Sequence, residues 1–515
     1  MRNESRRWKT VQTMSLAPRP PGARTLPRGL QTAIALSFAL AAGGALAGEE
    51  EKRPTAAEQM QRAAREQAER EGLEQESKNP ATAAKTQEDA PLKETKRAVP
   101  DYDGRGPRPT TFGEGALWVP RIIASPLYLT TKYVIAAPIG ALLVTAEKNN
   151  WPNWLYNFFT FGEDHEAGWI PLLLYDFGLR PTVGVYFFWN RAFSRSNALS
   201  ATVAFGGTDW VAFGLSAGRR ISKRSGIVLS GGFTRRPDAL FYGIGPSSND
   251  ALQSRYPFQR VEGTAAFEWH PAPWSLIRTT VGVRDFKFRT GSCCNDPAVV
   301  ERVRQGQYPA PPGFDQPYTV LLGRAELGFD SRPPRPHSQT GARLAFNVEE
   351  DVGTTNAPHS WIRYGGTVGG FWDVTGTARV LSLSVVTTFV DPTGGNSNNI
   401  PFPELATLGG AEPFVGFLPG RLFDRSAVAV QLRYEWPIWA FIDGELHVAA
   451  GNVFGPHLDG LRAGLMRLST GIGFRSVRSS ALPGFELLVG LGTETFDSGA
   501  RVSSFRFAFG STYGF

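Results

Sequence analysis

The chain has 515 residues and a net charge of +7, and 57 of its residues are glycine. Its mean hydropathy of −0.21 excludes a bundle of membrane-spanning helices. The same value suits an outer-membrane barrel, whose lumen-facing residues dilute its lipid-facing ones. Basic residues are interspersed with acids rather than gathered in a module, so we expect no nucleic-acid partner.

The N-terminus has the features of a secretory signal peptide. Arg28 precedes an apolar stretch at residues 33–42, and Ala45-Leu46-Ala47 supplies small residues around a cleavage position. The apolar core is shorter than the ~20 residues of a spanning helix. We predict a signal peptide over residues 1–47, with Met14 as a possible true start.

Two segments follow before the pattern changes. Residues 49–100 are rich in Ala, Glu, Gln, Lys and Arg and contain no aromatic residue. Such a composition buries too little surface to offset chain entropy, so we expect a disordered periplasmic tail over residues 48–115. Prolines and Lys132 interrupt the apolar zone that comes next. Residues 116–165 are predicted to form short amphipathic helices at the barrel mouth or in the lumen, with a transmembrane helix as the alternative.

From Trp169 onward, apolar and polar residues alternate with a period of two, the pattern of a strand with two different faces. The last segment shows the alternation best, with aromatic residues at every second position except Ser511: Phe505, Phe507, Phe509, Tyr513 and Phe515. Residues 426–436 and 466–475 repeat the pattern. Many runs reach ten residues, the length of a tilted transmembrane strand, whereas strands of soluble sandwiches are shorter.

Sixteen segments have this character, and tryptophans near their ends suggest an interfacial girdle. The sequence therefore predicts an all-β fold over residues 166–515, a transmembrane antiparallel β-barrel of about 16 strands in the bacterial outer membrane. The gaps at 236–256, 291–316 and 391–423 are predicted loops. The segments lie near 169–176, 180–190, 196–206, 208–219, 224–235, 257–270, 275–290, 317–330, 340–350, 360–374, 377–390, 424–436, 439–452, 465–477, 483–494 and 502–515.

We expect neither enzymatic activity nor a cofactor. Gly214-Leu-Ser216-Ala-Gly218 matches the nucleophile elbow of hydrolases, but that motif needs a strand, a sharp turn and a helix, and this one lies inside a strand pattern. The six histidines show no metal-ligand spacing. Cys293 and Cys294 are expected in an exposed loop, either reduced or closed into a ring.

The motifs between residues 408 and 438 resemble those of the BamA/TamA family of outer-membrane assembly barrels, the bacterial surface antigen family. A Gly-Gly pair leads to an apolar and aromatic tetrad, and a strand with charged residues around Tyr434 follows. Asp330-Ser-Arg332 is similar to the family's Asp-x-Arg element, and the C-terminal Phe509, Tyr513 and Phe515 are similar to its insertion signal. The resemblance covers residues 166–515. The loop motif consists of Gly409, Gly410, Phe414, Val415, Gly416, Phe417 and Arg421.

Two features of this chain depart from the family. Val415 stands where the tetrad carries arginine, and Arg433 and Glu435 stand where the family has Glu and Arg. The resemblance implies a loop that folds into the lumen and engages acidic residues of the wall. Arg421 is a candidate substitute, reaching Glu435 or another lumen acid; the alternative is a loop that plugs the pore by apolar contact alone. The periplasmic client-binding modules of the family have no counterpart in residues 49–115.

The resemblance implies insertion or assembly of outer-membrane proteins, or export of protein or lipid, through a lateral seam between the first and last strands. Pro171 removes a hydrogen-bond donor from the first strand, and Gly510 and Gly514 weaken the last. The implied partners are outer-membrane lipid and unfolded outer-membrane proteins or other exported clients, and we expect a monomeric barrel. The alternative function is a passive pore or a structural barrel without assembly activity.

Overall fold

The computed structural model describes residues 133, 145, 148–162, 164–291, 293–332, 340–354, 359–394, 400–439, 442–476 and 484–511. The predicted signal peptide, the predicted tail and most of the predicted helical segment lie outside the described residues. So do Tyr513, Gly514 and Phe515. Residues 154–515 belong to one compact unit of the chain.

Sixteen antiparallel strands form a closed barrel, which confirms the predicted fold. Each strand pairs with its neighbours in chain order, and the last strand pairs with the first. The sixteen are β2 (Ala167–Asp176), β3 (Thr182–Asn190), β4 (Asn197–Phe205), β5 (Val211–Arg220), β6 (Ser225–Phe241), β7 (Ser254–Trp269), β8 (Ser275–Phe288), β9 (Tyr318–Asp330), β10 (Gly341–Gly353), β11 (Ser360–Asp373), β12 (Val380–Pro392), β15 (Ser426–Trp439), β16 (Ile442–Phe454), β17 (Arg467–Ser476), β18 (Phe485–Thr493) and β19 (Val502–Ser511).

Smaller elements accompany the barrel wall. The short strand β1 (Thr160–Phe161) pairs with the start of β2, and β13 (Ala406–Leu408) pairs with β14 (Leu422–Asp424) in a separate two-stranded sheet. Helical elements among the described residues include α1 (Trp151–Phe159) and α2 (Val299–Arg304), together with 3₁₀ turns at Asp250–Leu252, Phe402–Glu404, Pro456–Leu458, Ala463–Leu465 and Phe496–Ser498. Within the described part of the chain, no helix is both long and apolar enough to cross a bilayer.

Side chains alternate between the outer surface and the lumen along each strand. In β15, Val430 and Leu432 are exposed on the outside, whereas Gln431 and Arg433 are buried on the inside. The same alternation in β5 places Phe213 and Leu215 outward. The outer surface is therefore an apolar belt, and the inner surface carries the charges. This is the arrangement of a barrel that crosses a lipid bilayer.

The two ends of the barrel differ in their connections. At one end, the short-turn end, β3–β4, β5–β6 and β7–β8 are joined by residues 191–196, 221–224 and 270–274. The opposite, long-loop end carries residues 242–253, 289–317 and 393–425. Bacterial barrels place their short turns in the periplasm. Tryptophans of the interfacial girdle lie at the short-turn end: Trp169, Trp189, Trp269, Trp274, Trp372 and Trp436.

The predicted loop at residues 236–256 is wrong at both of its ends. β6 continues to Phe241 and β7 begins at Ser254, with a register shift between Arg236 and Ala239. Pro237 cannot donate a ladder hydrogen bond, and the irregularity accommodates it before pairing resumes. Sequence alternation stops at such a bulge, which is why the strand appeared to end there.

Two other sequence features have plain structural settings. Gly214, Ser216 and Gly218 lie inside β5, which continues without the turn that a nucleophile elbow requires, and the Ser216 hydroxyl accepts a hydrogen bond from Ser230 at 3.3 Å. Cys293 and Cys294 form a disulfide in the loop between β8 and β9.

A charge on either face of β5 tests the assignment of the two surfaces. Leu215→Arg places a cation in lipid and should lower the free energy of unfolding from liposomes by about 2–4 kcal/mol. Ser216→Arg, one residue later, points into the lumen, where residue 216 lies opposite Ser230 of β6. Urea titration should show a much smaller loss for this control; equal losses would contradict the assignment.

Candidate functional site: the lumen loop and the strand junction

The connection from β12 to β15, residues 393–425, folds into the barrel; we call it the lumen loop. Most of its apolar side chains are buried and pack with inward residues of the wall in one hydrophobic cluster. Four of them, Phe402, Phe414, Phe417 and Leu422, have no exposed surface at all. The loop therefore fills a large part of the lumen by apolar contact.

The Gly-Gly pair forms the bend at which the loop turns back. Gly409 and Gly410 have φ values of +123° and +79°, which other residues rarely adopt. A Cβ atom on Gly409 would collide with the backbone oxygen of Leu418. The amide of Gly410 donates to the carbonyl of Phe417 at 2.7 Å. The motif thus closes residues 410–417 into a compact tip.

The tip lies against the last three strands. The amide of Gly416 donates to Ser469 Oγ in β17 at 2.9 Å, and a side chain at 416 would collide with the backbone of Leu491 in β18. Val415 clusters with buried Leu488 and Ala508. The glycine and the small valine are therefore matched to the close approach of the tip to the wall.

An arginine does reach the tip, but it comes from the wall. Arg506 in β19 donates through Nη1 to the carbonyl oxygen of Val415 at 3.2 Å. A guanidinium of the wall therefore lies against the backbone of the loop tip at Val415. The remaining nitrogens of Arg506 bind Asp176 at the end of β2.

Arg433 and Glu435 hold the tip from a second side. Arg433 Nη1 lies 2.5 Å from Glu412 Oε1 in the loop, and Arg433 Nη2 lies 3.1 Å from Glu435 Oε1. Arg475 in β17 forms ion pairs with both carboxylates. These two predicted wall residues therefore lie together in the lumen, and they engage the loop through Glu412.

One group of potential metal ligands was not visible in the sequence. The ligand atoms of Glu412, Glu445 and His447 lie within 4.8 Å of one another. Arg433 and Arg475 already pair with these carboxylates. Ion pairing with the two guanidinium groups therefore accounts for the cluster.

Of the partners predicted for Arg421, Glu435 is wrong, and another acid, Asp250, binds it instead. Arg421, 1% exposed, donates from Nε to Asp250 Oδ1 at 2.6 Å and from Nη1 to Ser248 Oγ at 2.8 Å. Glu494 is a second, more distant acid at 3.7 Å. Asp250 and Ser248 belong to the β6–β7 loop, which folds inward from the far side of the barrel to meet Arg421. No local pattern predicts a contact between residues so distant in the chain.

Sequence reasoning also missed Glu404, the anchor of the lumen loop on the opposite wall. Its carboxylate lies 3.3 Å from Arg284 in β8 and 3.0 Å from Arg363 in β11, and Tyr318 donates to it at 2.8 Å. Burial alone would raise the pKa of Glu404, but the two guanidinium groups hold it below its ordinary value. The inward-facing arginines at 284 and 363 were the feature of the sequence that could have indicated an acidic partner in the lumen.

Asp330 and Arg332 lie at the short-turn end, where they pair with each other. Arg332 Nε is 2.8 Å from Asp330 Oδ1, and the guanidinium lies over the ring of Phe371 at 4.0 Å. Arg332 also lines a cavity of about 230 Å³ that Glu412 and Arg433 share. Arg332 and the loop tip therefore line the same cavity.

The junction between β2 and β19, which we call the seam, closes the barrel. Among the described residues it has three residue pairs, against seven at β17–β18 and more at the other junctions of the wall. One further backbone bond joins the Phe177 amide to the Phe507 carbonyl at 2.9 Å. The pairs are Ala508 with Asp176, Phe509 with Tyr175 and Gly510 with Leu174.

One buried ion pair crosses the seam on the lumen side. Arg506 Nε lies 3.0 Å from both carboxylate oxygens of Asp176, and Nη2 lies 2.8 Å from Oδ2. On the outer side, Tyr175 stacks edge-on against Phe507. The seam therefore relies on side chains where its backbone ladder is short.

Pro171 and Gly510 occupy different parts of the seam region. Pro171 lies inside β2, opposite Val185 of β3 and before the seam pairs begin. Gly510 has a φ of +142°, and a Cβ atom there would collide with the backbone of Leu173. The glycine thus permits the close approach of the two strands, and none of the three described seam pairs includes the proline.

Comparisons with solved structures find other barrels at low sequence identity. BamA from Haemophilus ducreyi lacking POTRA domains 1-3 is 13% identical, with a TM-score of 0.48 over 67% of this chain and 70% of that one. CdiB from Acinetobacter baumannii is 10% identical, with a TM-score of 0.43 over 67% and 59%. OccK11 (OpdR) from Pseudomonas aeruginosa is 12% identical, with a TM-score of 0.33 over 68% and 96%.

No protein-family model matches the sequence, and the search of curated proteins gives no match either. The three TM-scores lie below 0.5.

Removal of the Glu404 carboxylate should release the lumen loop from the wall. Glu404→Ala removes the acceptor of the Tyr318 hydroxyl and one carboxylate from Arg284 and Arg363, which keep Glu349 as a buried partner. We therefore expect unfolding to become easier by about 1–3 kcal/mol. The contribution of the Glu404 carboxylate to stability should be complete at pH values above the ordinary carboxyl pKa. It should disappear as the pH falls through the lowered pKa of Glu404. Denaturant titration across acidic pH measures both; Glu301→Ala, at an exposed position in α2, is the matched control.

A charge exchange tests the contact between Arg421 and the β6–β7 loop. Arg421→Glu should lower stability by about 3–5 kcal/mol, because it faces Asp250 with a like charge in a buried site. Adding Asp250→Arg should recover part of the loss, and adding Glu435→Arg should recover none. Heat-dependent mobility of the folded barrel on gels reports the order of stability. Recovery by the Glu435 variant alone would contradict the observed pairing.

Proposed function

We propose that this protein resides in the bacterial outer membrane and transfers substrates into or across it by opening the seam, as expected for a BamA/TamA-type barrel. The substrate class is unfolded outer-membrane protein, or an exported protein or lipid. The observation that carries the proposal is the short ladder between β2 and β19 in a barrel whose lumen is filled by its own loop.

The seam is the weakest junction of the described wall. A net backbone hydrogen bond contributes about 0.5–1.5 kcal/mol, so three residue pairs hold the strands much less firmly than seven or more. Unpaired strand edges accept additional strands, and an opened β2 or β19 would offer such an edge to an incoming chain. A lateral opening at this junction therefore provides both a path into lipid and a template for a new strand.

The lumen loop favours this lateral path over a central one. Glu404 anchors it to β8 and β11, and Glu412 anchors it to β15 and β17. The tip also contacts Arg506, which is half of the ion pair across the seam. Movement of the tip would change the surroundings of that ion pair. A passive pore, the alternative function, requires a lumen that is open without such movement.

A disulfide across the seam tests lateral opening. In a Cys293→Ser, Cys294→Ser background, we introduce cysteines at Tyr175 and Phe509, which are paired across the seam. Oxidation should abolish insertion of an unfolded barrel client into liposomes that contain the protein, and reduction should restore it. The reason is that a covalent bond prevents separation of β2 from β19.

The control uses the other side of the same last strand. Cysteines at Leu487 and Phe509 are paired between β18 and β19, and their oxidation should leave client insertion unchanged. Equal insertion by the oxidised seam variant would overturn lateral opening. Conductance in planar bilayers is the second readout: a steady open pore in the unmodified protein would favour the passive alternative, whereas a closed lumen with brief openings is expected here.

A further inference from the structure

Five exposed cations lie on two neighbouring turns at the short-turn end of the barrel. We call this group the basic rim patch. Four of its members fall within six residues of sequence around the β5–β6 turn, where Ile221 and Ser222 separate the pairs. The members are Arg195, Arg219, Arg220, Lys223 and Arg224.

The two turns are in direct contact, so the charges form one surface. The amide of Arg220 donates to the carbonyl of Ser196 at 2.7 Å, and Arg219 is paired in register with Asn197. The β3–β4 turn, which carries Arg195, therefore lies beside the β5–β6 turn. Charges that are distant by about 25 residues of sequence are brought to one part of the rim.

The patch has no acidic counterpart among the described residues. Its five cations make no ion pair with any described residue, and the Arg224 guanidinium donates only to the carbonyl of Pro271, at 3.3 Å. Arg191, on the same turn as Arg195, is different because it pairs with Asp164 and Glu166. Exposed cations in such proximity repel each other, and anions that gather beside them reduce this repulsion.

Apolar side chains project from the same two turns. Phe193 is 85% exposed and Ile221 is 57% exposed. Phe193 contacts the ring of Trp189, which belongs to the tryptophan girdle, with ring centres 4.9 Å apart. A surface that combines basic and apolar groups at the edge of an apolar belt lies at the depth where lipid headgroups meet acyl chains.

We propose that the basic rim patch binds the phosphate groups of anionic phospholipids in the leaflet at the short-turn end. Lys and Arg side chains near an anionic membrane surface are attracted to it, and the attraction is screened by salt. Phe193 and Ile221 enter the acyl region while the five cations engage headgroups. This proposal rests on the bilayer position of the barrel and is independent of substrate transfer through the seam.

Lipid selectivity in detergent tests the proposal. The full-length protein in a non-ionic detergent is titrated with short-chain phosphatidylglycerol and, separately, with phosphatidylcholine, and bound lipid is counted by native mass spectrometry. We expect phosphatidylglycerol to bind at least about tenfold more tightly, and the difference to shrink at high salt. The variant R219Q/R220Q/K223Q/R224Q should lose this preference, whereas R219K/R220K/R224K should keep it.

A matched control removes four exposed cations from the opposite end. R289Q/R304Q/R462Q/R501Q changes the net charge equally and should keep the preference. Equal binding of the two lipids by the unmodified protein would overturn the proposal, as would equal loss in both four-residue variants. Inorganic phosphate is the third probe: if it competes as well as phosphatidylglycerol at equal concentration, the patch is a site for soluble anions and the proposal fails.

Discussion

The need to pair every backbone group in lipid governs this protein, because unpaired amides and carbonyls inside a bilayer cost several kcal/mol each. A sheet meets that requirement only by closing on itself. Among the described residues, closure rests on three residue pairs between residues 174–176 and 508–510, and on the bond from the Phe177 amide to the Phe507 carbonyl. The buried ion pair of Arg506 with Asp176 lies where the ladder is shortest. The junction that completes the barrel is thus also the one with the fewest residue pairs in the described wall.

The lumen loop connects this junction to the rest of the wall. Its anchors lie on opposite sides of the barrel, Glu404 on β8 and β11 and Glu412 on β15 and β17. Between them, the tip at Val415 contacts Arg506. Ion pairs in a confined lumen are costly to break singly, because the remaining charge loses its partner. A change at either anchor would therefore alter the tip, and through it the surroundings of the seam.

The two ends of the barrel carry different groups. At the long-loop end, Arg421 and Arg467 hold the β6–β7 loop over the lumen by bonds to Ser248. At the short-turn end, the wall presents tryptophans and a basic rim patch. The patch was not anticipated, because composition alone shows cations interspersed with acids along the chain. Only the pairing of β4 with β5 gathers Arg195 with the four cations around Ile221.

The sequence by itself determined the fold class, the strand positions apart from the end of β6 and the start of β7, and which side chains face outward, because a period of two along a strand is a local property. It also located the loop motif, since Gly409 and Gly410 readily adopt the positive φ values of this bend. Partner choice was decided by the tertiary structure. Arg421 pairs with Asp250 instead of Glu435, and Arg506 takes the place beside Val415. Such contacts depend on barrel diameter, strand register and the path of a long loop, and none of these produces a periodic pattern in the sequence.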